Sequence, residues 1–256
     1  MLFFLFARIM AITKPSGGAS MFEGKRILGI LAARGGSKRI PGKNLRDLGG
    51  RPLIIWSVEA ARQARFLDRL VLSTEDGEIM ACCRKAGCEV PFERPAEFAT
   101  DTATSASVVR HALVSLEEEY DYVVLLQPTS PFRLGEDIDR GIALCVERRA
   151  PSVVSLSSLR EKPAWIYRVD ENDRLCPHED AWRGDEGAWG VLNGAVYVME
   201  RRWFLENEAF IGQETLSFFM PPERSVDVDT EEDLLWARFL LSRKGHGSVV
   251  SPLSGV

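Results

Sequence analysis

Three stretches of this sequence hold residues whose types and spacing can do chemistry. The first is Leu31-Ala32-Ala33-Arg34-Gly35-Gly36-Ser37-Lys38-Arg39-Ile40-Pro41-Gly42-Lys43-Asn44. Arg34, Lys38, Arg39 and Lys43 place four positive charges within ten residues of a chain whose net charge is -5. Gly35, Gly36 and Gly42 permit close backbone approach, and exposed backbone N–H groups can cradle an anion. A polyphosphate suits such a loop. The two familiar phosphate motifs are absent. There is no G-x-G-x-x-G, and five residues separate Gly36 from Gly42 where a P-loop needs four, with Asn44 rather than Ser or Thr after Lys43. The competing reading is a solvated basic loop.

The second stretch is Ser225-Val226-Asp227-Val228-Asp229-Thr230. Alternation in a strand puts Asp227 and Asp229 on one face, where two carboxylates repel unless a cation lies between them. Hard oxygen donors suit Mg²⁺, whose shell is completed by water and substrate phosphates. The competing reading is helix capping, with Asp229 as N-cap and Glu231 and Glu232 favouring the helix dipole. The third stretch, Leu125–Arg133, sends an apolar run into a polar segment stiffened by Pro128 and Pro131. Gln127 offers amide donors and an acceptor, apt for sugar hydroxyls or a carboxylate, although an ordinary strand-to-helix turn explains it as well. His111, His178 and His246 read as structural or exposed.

The elements that must position these residues alternate. Arg26–Ala33 is a short apolar run ending in the glycine-rich loop, as a buried parallel strand would be. Pro52 opens a helix with Leu53, Trp56, Ala60 and Ala64 at helical spacing. Leu70–Ser73, Glu89–Phe92, Tyr122–Leu126 and Ser152–Leu156 read as strands. Glu75–Ala86 (closed by Gly87), Thr104–Glu118 and Gly135–Glu147 read as helices. That rhythm implies βαβ units and a mostly parallel sheet. After residue 156 the pattern changes. Ala164–Val169 and Arg174–Cys176 read as a hairpin across Glu171-Asn172-Asp173, and Trp182–Trp189 as a loop. Gly194–Met199 and Leu216–Met220 are strands, and Asp229–Ser242 is the last helix, capped by Asp229 or Thr230.

Composition narrows the function. The chain has 256 residues, 45% hydrophobic and 27% charged, enough for one large α/β domain. Its slight acidity argues against nucleic acid or anionic lipid as a main partner. Five cysteines with no C-x-x-C pair argue against a disulfide framework or a structural zinc site and fit a reduced, cytoplasmic setting. Residues 1–12 are apolar except Arg8, too short a run to span a bilayer. Residues 1–20 are expected to lie outside the fold, as an extension from an upstream start codon. The alternative is a weak membrane-surface anchor. The folded domain is expected over 21–242, with a tail at 243–256.

Together the loop AARGGSKRIPGKN, Ser73-Thr74, Arg94-Pro95-Ala96-Glu97, Asp101-Thr102-Ala103-Thr104-Ser105, LLQPTSPFR, Asn193-Gly194-Ala195-Val196-Tyr197 and SVDVDTEED resemble the acylneuraminate cytidylyltransferases over roughly residues 24–242. The resemblance implies an α/β fold, a Rossmann-like nucleotidyltransferase three-layer sandwich with a mostly parallel sheet and a small β-containing dimerisation insertion at about 160–190, usually in a homodimer. It implies CTP plus an acidic nine-carbon sugar, a nonulosonic acid, giving the CMP-sugar and pyrophosphate with Mg²⁺. By the same resemblance Ala32, Ala33, Arg34, Lys38, Lys43, Asn44, Arg94, Ala103, Thr104 and Ser105 bind the nucleotide. Gln127, Lys162, Arg183 and Asn193 lie about the sugar, and Asp227 and Asp229 hold the metal. Arg34, Lys43, Asp229 and Arg183 carry the chemistry. Many relatives place an aromatic and an arginine before Asn-Gly, where Gly190-Val191-Leu192 stands here, which leaves the particular sugar open. Three alternatives stay open: a 3-deoxy-manno-octulosonate cytidylyltransferase, which usually shows proline where Asn44 stands; a D-x-D metal-dependent glycosyltransferase; and a non-catalytic binding module.

Overall fold

The computed structural model describes residues 21–159, 161, 165–177 and 188–246. The expected extension at 1–20, Lys162, Arg183, His178 and most of the expected 182–189 loop lie outside the described residues.

Strand β1 (Ile27–Ala32) leads through the basic loop to helix α1 (Leu53–Gln63), then β2 (Arg69–Ser73), α2 (Gly77–Lys85), α3 (Ser105–Ser115), β3 (Tyr122–Leu126), α4 (Gly135–Arg148) and β4 (Ser152–Ser158). The two short strands β5 (Tyr167–Val169) and β6 (Leu175–Pro177) pair with each other, as the expected hairpin. Then come β7 (Gly190–Glu200), α5 (Arg201–Asn207), β8 (Leu216–Phe219) and α6 (Glu231–His246). The main sheet has strand order β2-β1-β3-β7-β4-β8. β1 runs parallel to β2 and β3, and β4 parallel to β8, while β7 is antiparallel to both its neighbours. The reversal follows from the connection. No helix crosses back between β4 and β7 among the described residues, and without a crossover a returning strand pairs antiparallel.

Alternation in β1 serves two layers. Ile27 and Leu31 pack with Ile54 and Val58 of α1, Ile79 of α2 and Ile138 and Ile142 of α4. Leu28 and Ile30 pack on the other face with Val109 and Leu113 of α3 and Phe204 of α5. Each helix presents one apolar stripe to a sheet that is buried on both faces, which makes the three-layer sandwich. A third cluster of Ile40, Leu48, Leu53, Phe132, Val228 and Leu234 fastens the basic loop and α6 to the sheet end.

Several boundaries differ from the sequence expectation. Glu89–Phe92 is not a strand. Glu89 alone makes a parallel bridge, to Val71, and Pro91 removes a ladder donor where pairing would continue. α2 starts at Gly77 because the Asp76 carboxylate accepts from the N–H groups of Glu78 and Ile79 at 2.9 Å each and so caps the helix. α3 ends at Ser115, and α6 continues to His246. The cap of α6 is Thr230, in a reciprocal box: Thr230 Oγ1 accepts from Asp233 N–H at 3.2 Å and Asp233 accepts from Thr230 N–H at 2.8 Å.

Candidate active site

The basic loop leaves the carboxyl end of β1, next to the end of β3, where open α/β sheets bind ligands. A cavity of about 330 Å³ lies there. Ala32, Ala33, Arg34, Lys43 and Asn44 form one wall, Arg94, Ala103 and Ser105 a second, and Gln127, Asp227 and Asp229 a third. Most of the residues expected at the site from sequence therefore line a single cavity.

Local bonds fix the loop. Asn44, nearly buried, donates from Nδ2 to the Arg34 carbonyl at 2.9 Å. Gly35 N–H donates to Glu75 Oε1 at 2.7 Å. Gly42, at φ 63°, adopts a left-handed turn that suits glycine. Two acids answer the loop's cations. Asp101 lies 2.9 Å from Arg34 and 2.5 Å from Lys38. Asp229 lies 2.7 Å from Lys43 and 3.3 Å from Arg39. The hydrogen bond from Lys38 and the charges around it hold the Asp101 carboxyl below its usual range.

Asp227 and Asp229 meet in the cavity without a strand. Residues 225–229 are irregular, so the alternation expected there is corrected, and the segment is tied down by Val228 N–H to the Thr129 carbonyl at 2.7 Å. Burial, and after it the Asp229 charge, push the Asp227 carboxyl above its usual range, against a hydrogen bond with Thr129. Gly194 completes this corner. Its φ is 70°, and a Cβ there would fall 2.9 Å from Gln127 Oε1 and 3.8 Å from Asp227 Oδ2. The missing side chain is thus the space between a sugar-apt amide and a carboxylate. These residues fit a hard divalent cation. Two carboxylates line one cavity, and burial raises the cost of the anionic form of Asp227, a cost that a cation would offset. Among the described residues no cluster of three or more His, Cys, Asp or Glu is placed for a metal, so phosphates and water would complete the shell.

Three expected residues are off the walls. Lys38 is mostly exposed and reaches the site only through Asp101. Thr104 is the N-cap of α3, its Oγ1 accepting from Ser107 N–H at 3.1 Å. Asn193 is buried and fully engaged. Its Oδ1 accepts from Ser155 Oγ at 2.6 Å, and its Nδ2 donates to Ser225 Oγ at 2.9 Å. It joins β4, β7 and the 225–229 segment and has no group left for a sugar.

Sequence reasoning gave no role to Asp101, Glu75 or Arg133. Arg133 is buried, and donates to the Ala195 carbonyl at 2.6 Å, to the Gln127 carbonyl at 2.9 Å and to Ser57 Oγ. Burial pulls its guanidinium down to about 9, with Asp137 opposing. It staples the end of β3 to the middle of β7 beside Gln127 and Gly194. The sequence signal was an arginine closing the polar, proline-stiffened segment that follows β3. His111 packs edge-on against Phe92, ring centroids 5.3 Å apart, and is structural as expected.

A family described as cytidylyltransferase matches residues 28–179 of this chain. A CMP-N,N'-diacetyllegionaminic acid synthase of Legionella pneumophila is 34% identical over 221 residues, covering 83% of this chain and 94% of that protein. A pseudaminic acid cytidylyltransferase of Campylobacter jejuni is 29% identical, covering 82% of this chain and 94% of the relative. An N-acylneuraminate cytidylyltransferase of Escherichia coli is 28% identical, covering 88% of this chain and 54% of the relative. Among solved structures, a CMP:2-keto-3-deoxy-manno-octonic acid synthetase complexed with CTP superposes with a TM-score of 0.64 at 16% identity, covering 86% of this chain and 99% of that one. A likeness at that identity shows the α/β nucleotidyltransferase fold. This chain belongs to the cytidylyltransferase family, a family of nucleotidyltransferases, and the glycosyltransferase and binding-module readings fall away.

Proposed function

We propose that the protein activates a nonulosonic acid with CTP, giving the CMP-sugar and pyrophosphate. The observation that carries the reading is the convergence of Arg34 and Lys43 with Asp227 and Asp229 on one cavity, in a chain whose similar proteins are named for legionaminic, pseudaminic and acylneuraminic acids. In this reading the anomeric hydroxyl of the sugar attacks the α-phosphorus of CTP in line, and the bond to pyrophosphate breaks. Such transfers depend on positioning and charge neutralisation more than on covalent catalysis. Arg34 and Lys43 hold the departing phosphates, and Lys38, paired with Asp101, is proposed to join them once the nucleotide binds. Arg94, Ala103 and Ser105 surround the base and ribose, and Gln127 holds sugar hydroxyls. Asp227 and Asp229 hold Mg²⁺, which when bound draws charge from the phosphate and lowers the pKa of the attacking hydroxyl. Lys162 and Arg183 are proposed beside the sugar carboxylate, where an arginine can bind in bidentate fashion. The protein is further proposed to be a cytoplasmic homodimer, joined through the 160–190 insertion.

The test is a panel assay. CTP and Mg²⁺ are supplied with acylneuraminic, diacetyllegionaminic or pseudaminic acid, or with 3-deoxy-manno-octulosonate, and pyrophosphate is measured. Turnover with one or more nonulosonic acids supports the reading. Turnover with the octulosonate alone overturns it.

A further inference from the structure

Glu75 closes a network that joins both halves of the nucleotide site. Its Oε1 accepts the Gly35 N–H at 2.7 Å, while Asn44 Nδ2 donates to the Arg34 carbonyl at 2.9 Å. That N–H and that carbonyl belong to one peptide group, so the peptide that follows Arg34 is pinned at both ends. The contact is close: a Cβ on Gly35 would fall 3.0 Å from Asp76 Cβ, so the loop abuts the β2–α2 turn.

The other carboxylate oxygen, Oε2, is buried without a hydrogen-bond partner and lies 3.8 Å from Arg94 Nη1. That is too long for a hydrogen bond but close enough for charge attraction in a partly buried site. Arg94 is itself held. Its Nε donates to Ser73 Oγ at 3.1 Å, Nη2 donates to the Ser73 carbonyl, and its own N–H donates to the Thr74 carbonyl at 2.9 Å. Nη1 makes no hydrogen bond among the described residues, and Arg94 lines the cavity. A buried acceptor left unpaired is costly, so a carboxylate kept one hydrogen bond short of a guanidinium needs a reason.

We infer that Glu75 is a positioning residue for nucleotide selectivity: it holds the peptide after Arg34 and the Arg94 guanidinium at a fixed separation, and leaves Nη1 spare for the base. This rests on the reading that Arg94 lies beside the base. Cytosine presents an unprotonated N3 and a carbonyl O2 to such a donor, whereas uracil presents N3–H, which a cation repels. Burial pulls Arg94 down to about 10, the Glu75 charge opposes that fall, and Arg34 adds to it. The guanidinium stays charged at neutral pH, and the geometry of the Glu75 contact is what directs it.

The experiment compares the full chain with Arg94→Lys, Glu75→Gln and Glu75→Asp. It measures the KM for CTP, the inhibition constant of UTP against CTP, the KM for the acidic sugar, and a thermal melt. Gln keeps an acceptor for Gly35 N–H and removes the charge facing Arg94. Asp keeps the charge and withdraws it by one methylene, and it stands in if the Gln variant folds poorly. The expected result is that Arg94→Lys and Glu75→Gln each reduce the preference for CTP over UTP by about fivefold or more, with the sugar KM unchanged. If Arg94→Lys reduces the preference and neither Glu75 variant does, Glu75 is only a brace for the fold and the inference is overturned, while the base assignment stands. If Arg94→Lys leaves the preference intact, the base assignment fails, and the inference fails with it.

Discussion

Asp229 is a carboxylate with three claims on it: Lys43, Arg39 and the proposed metal. Its side chain is 46% exposed, and surface pairs of that kind contribute about 0–1 kcal/mol. Asp229→Asn is therefore expected to melt within a few degrees of the parent and yet to lose turnover at ordinary Mg²⁺. Near-parental turnover in the purified variant would remove the aspartate from the metal site. The loop cations can be ranked in the same way. Arg34→Ala should cost about 2–4 kcal/mol of transition-state stabilisation, the scale of one preorganised charge-stabilising donor. Arg39, whose side chain is 70% exposed, should cost far less. Equal losses in kcat/KM would show that bulk charge, not a specific site, binds the phosphates. These cations were legible because glycines and charges are interleaved within one short segment. Two of the acids that meet this loop were not. Asp101 and Glu75 come from distant parts of the chain, and nothing in their immediate surroundings marks an acid that will face this loop. Asn193 shows the opposite limit: its motif is legible, but only the packing reveals that Ser155 and Ser225 occupy its amide.

At the scale of elements, the parallel half of the sheet was legible almost strand for strand, because β1, β2 and β3 are apolar runs separated by helical periodicity. The expected strand at Glu89–Phe92 was not distinguishable from an edge bridge, since a short apolar stretch with a proline fits both. The direction of β7 depends on the connection before it, which no periodicity reports. One joint between elements makes a pH prediction. Asp121, just before β3, accepts from Arg26 N–H and Lys25 Nζ at 2.9 Å each and so ties β3 to β1. Burial disfavours its charged form, but those two donors outweigh it and hold the carboxyl below its ordinary 3.8. A depressed carboxyl contributes stability above its unfolded pKa and loses it as pH falls through the folded value. Asp121→Asn should therefore lower the melting temperature at pH 7, and the difference from the parent should shrink towards pH 3. A gap that is constant with pH would mean that packing, not charge, is what the substitution removes.

At the scale of the whole molecule, the apolar surface left outside the cores is uneven, and one part of it makes the assembly testable. The β5–β6 hairpin carries Tyr167, Val169 and Leu175 with 45–67% of their surface exposed, on two strands that among the described residues pair only with each other. An isolated two-stranded hairpin is marginal in water, and the proposed dimer would give this one a partner surface. Six strand residues cannot supply the roughly 800 Å² per partner of an ordinary interface. Trp189, Val191 and Leu192, also exposed, close the same excursion from the sheet and add to the apolar area. In a two-fold dimer the same patch faces itself or its neighbour, so one substitution acts twice. Leu175→Glu would bring two unpaired carboxylates into that interface, each with a desolvation cost of several kcal/mol. The parent should sediment at twice the 28.6 kDa chain mass at micromolar concentration, and Leu175→Glu at once that mass, with the main sheet intact by circular dichroism. A parent that is monomeric refutes the dimer. A variant that stays dimeric moves the interface off the hairpin, and the exposed Leu235, Trp236 and Phe239 on α6 become the next face to substitute.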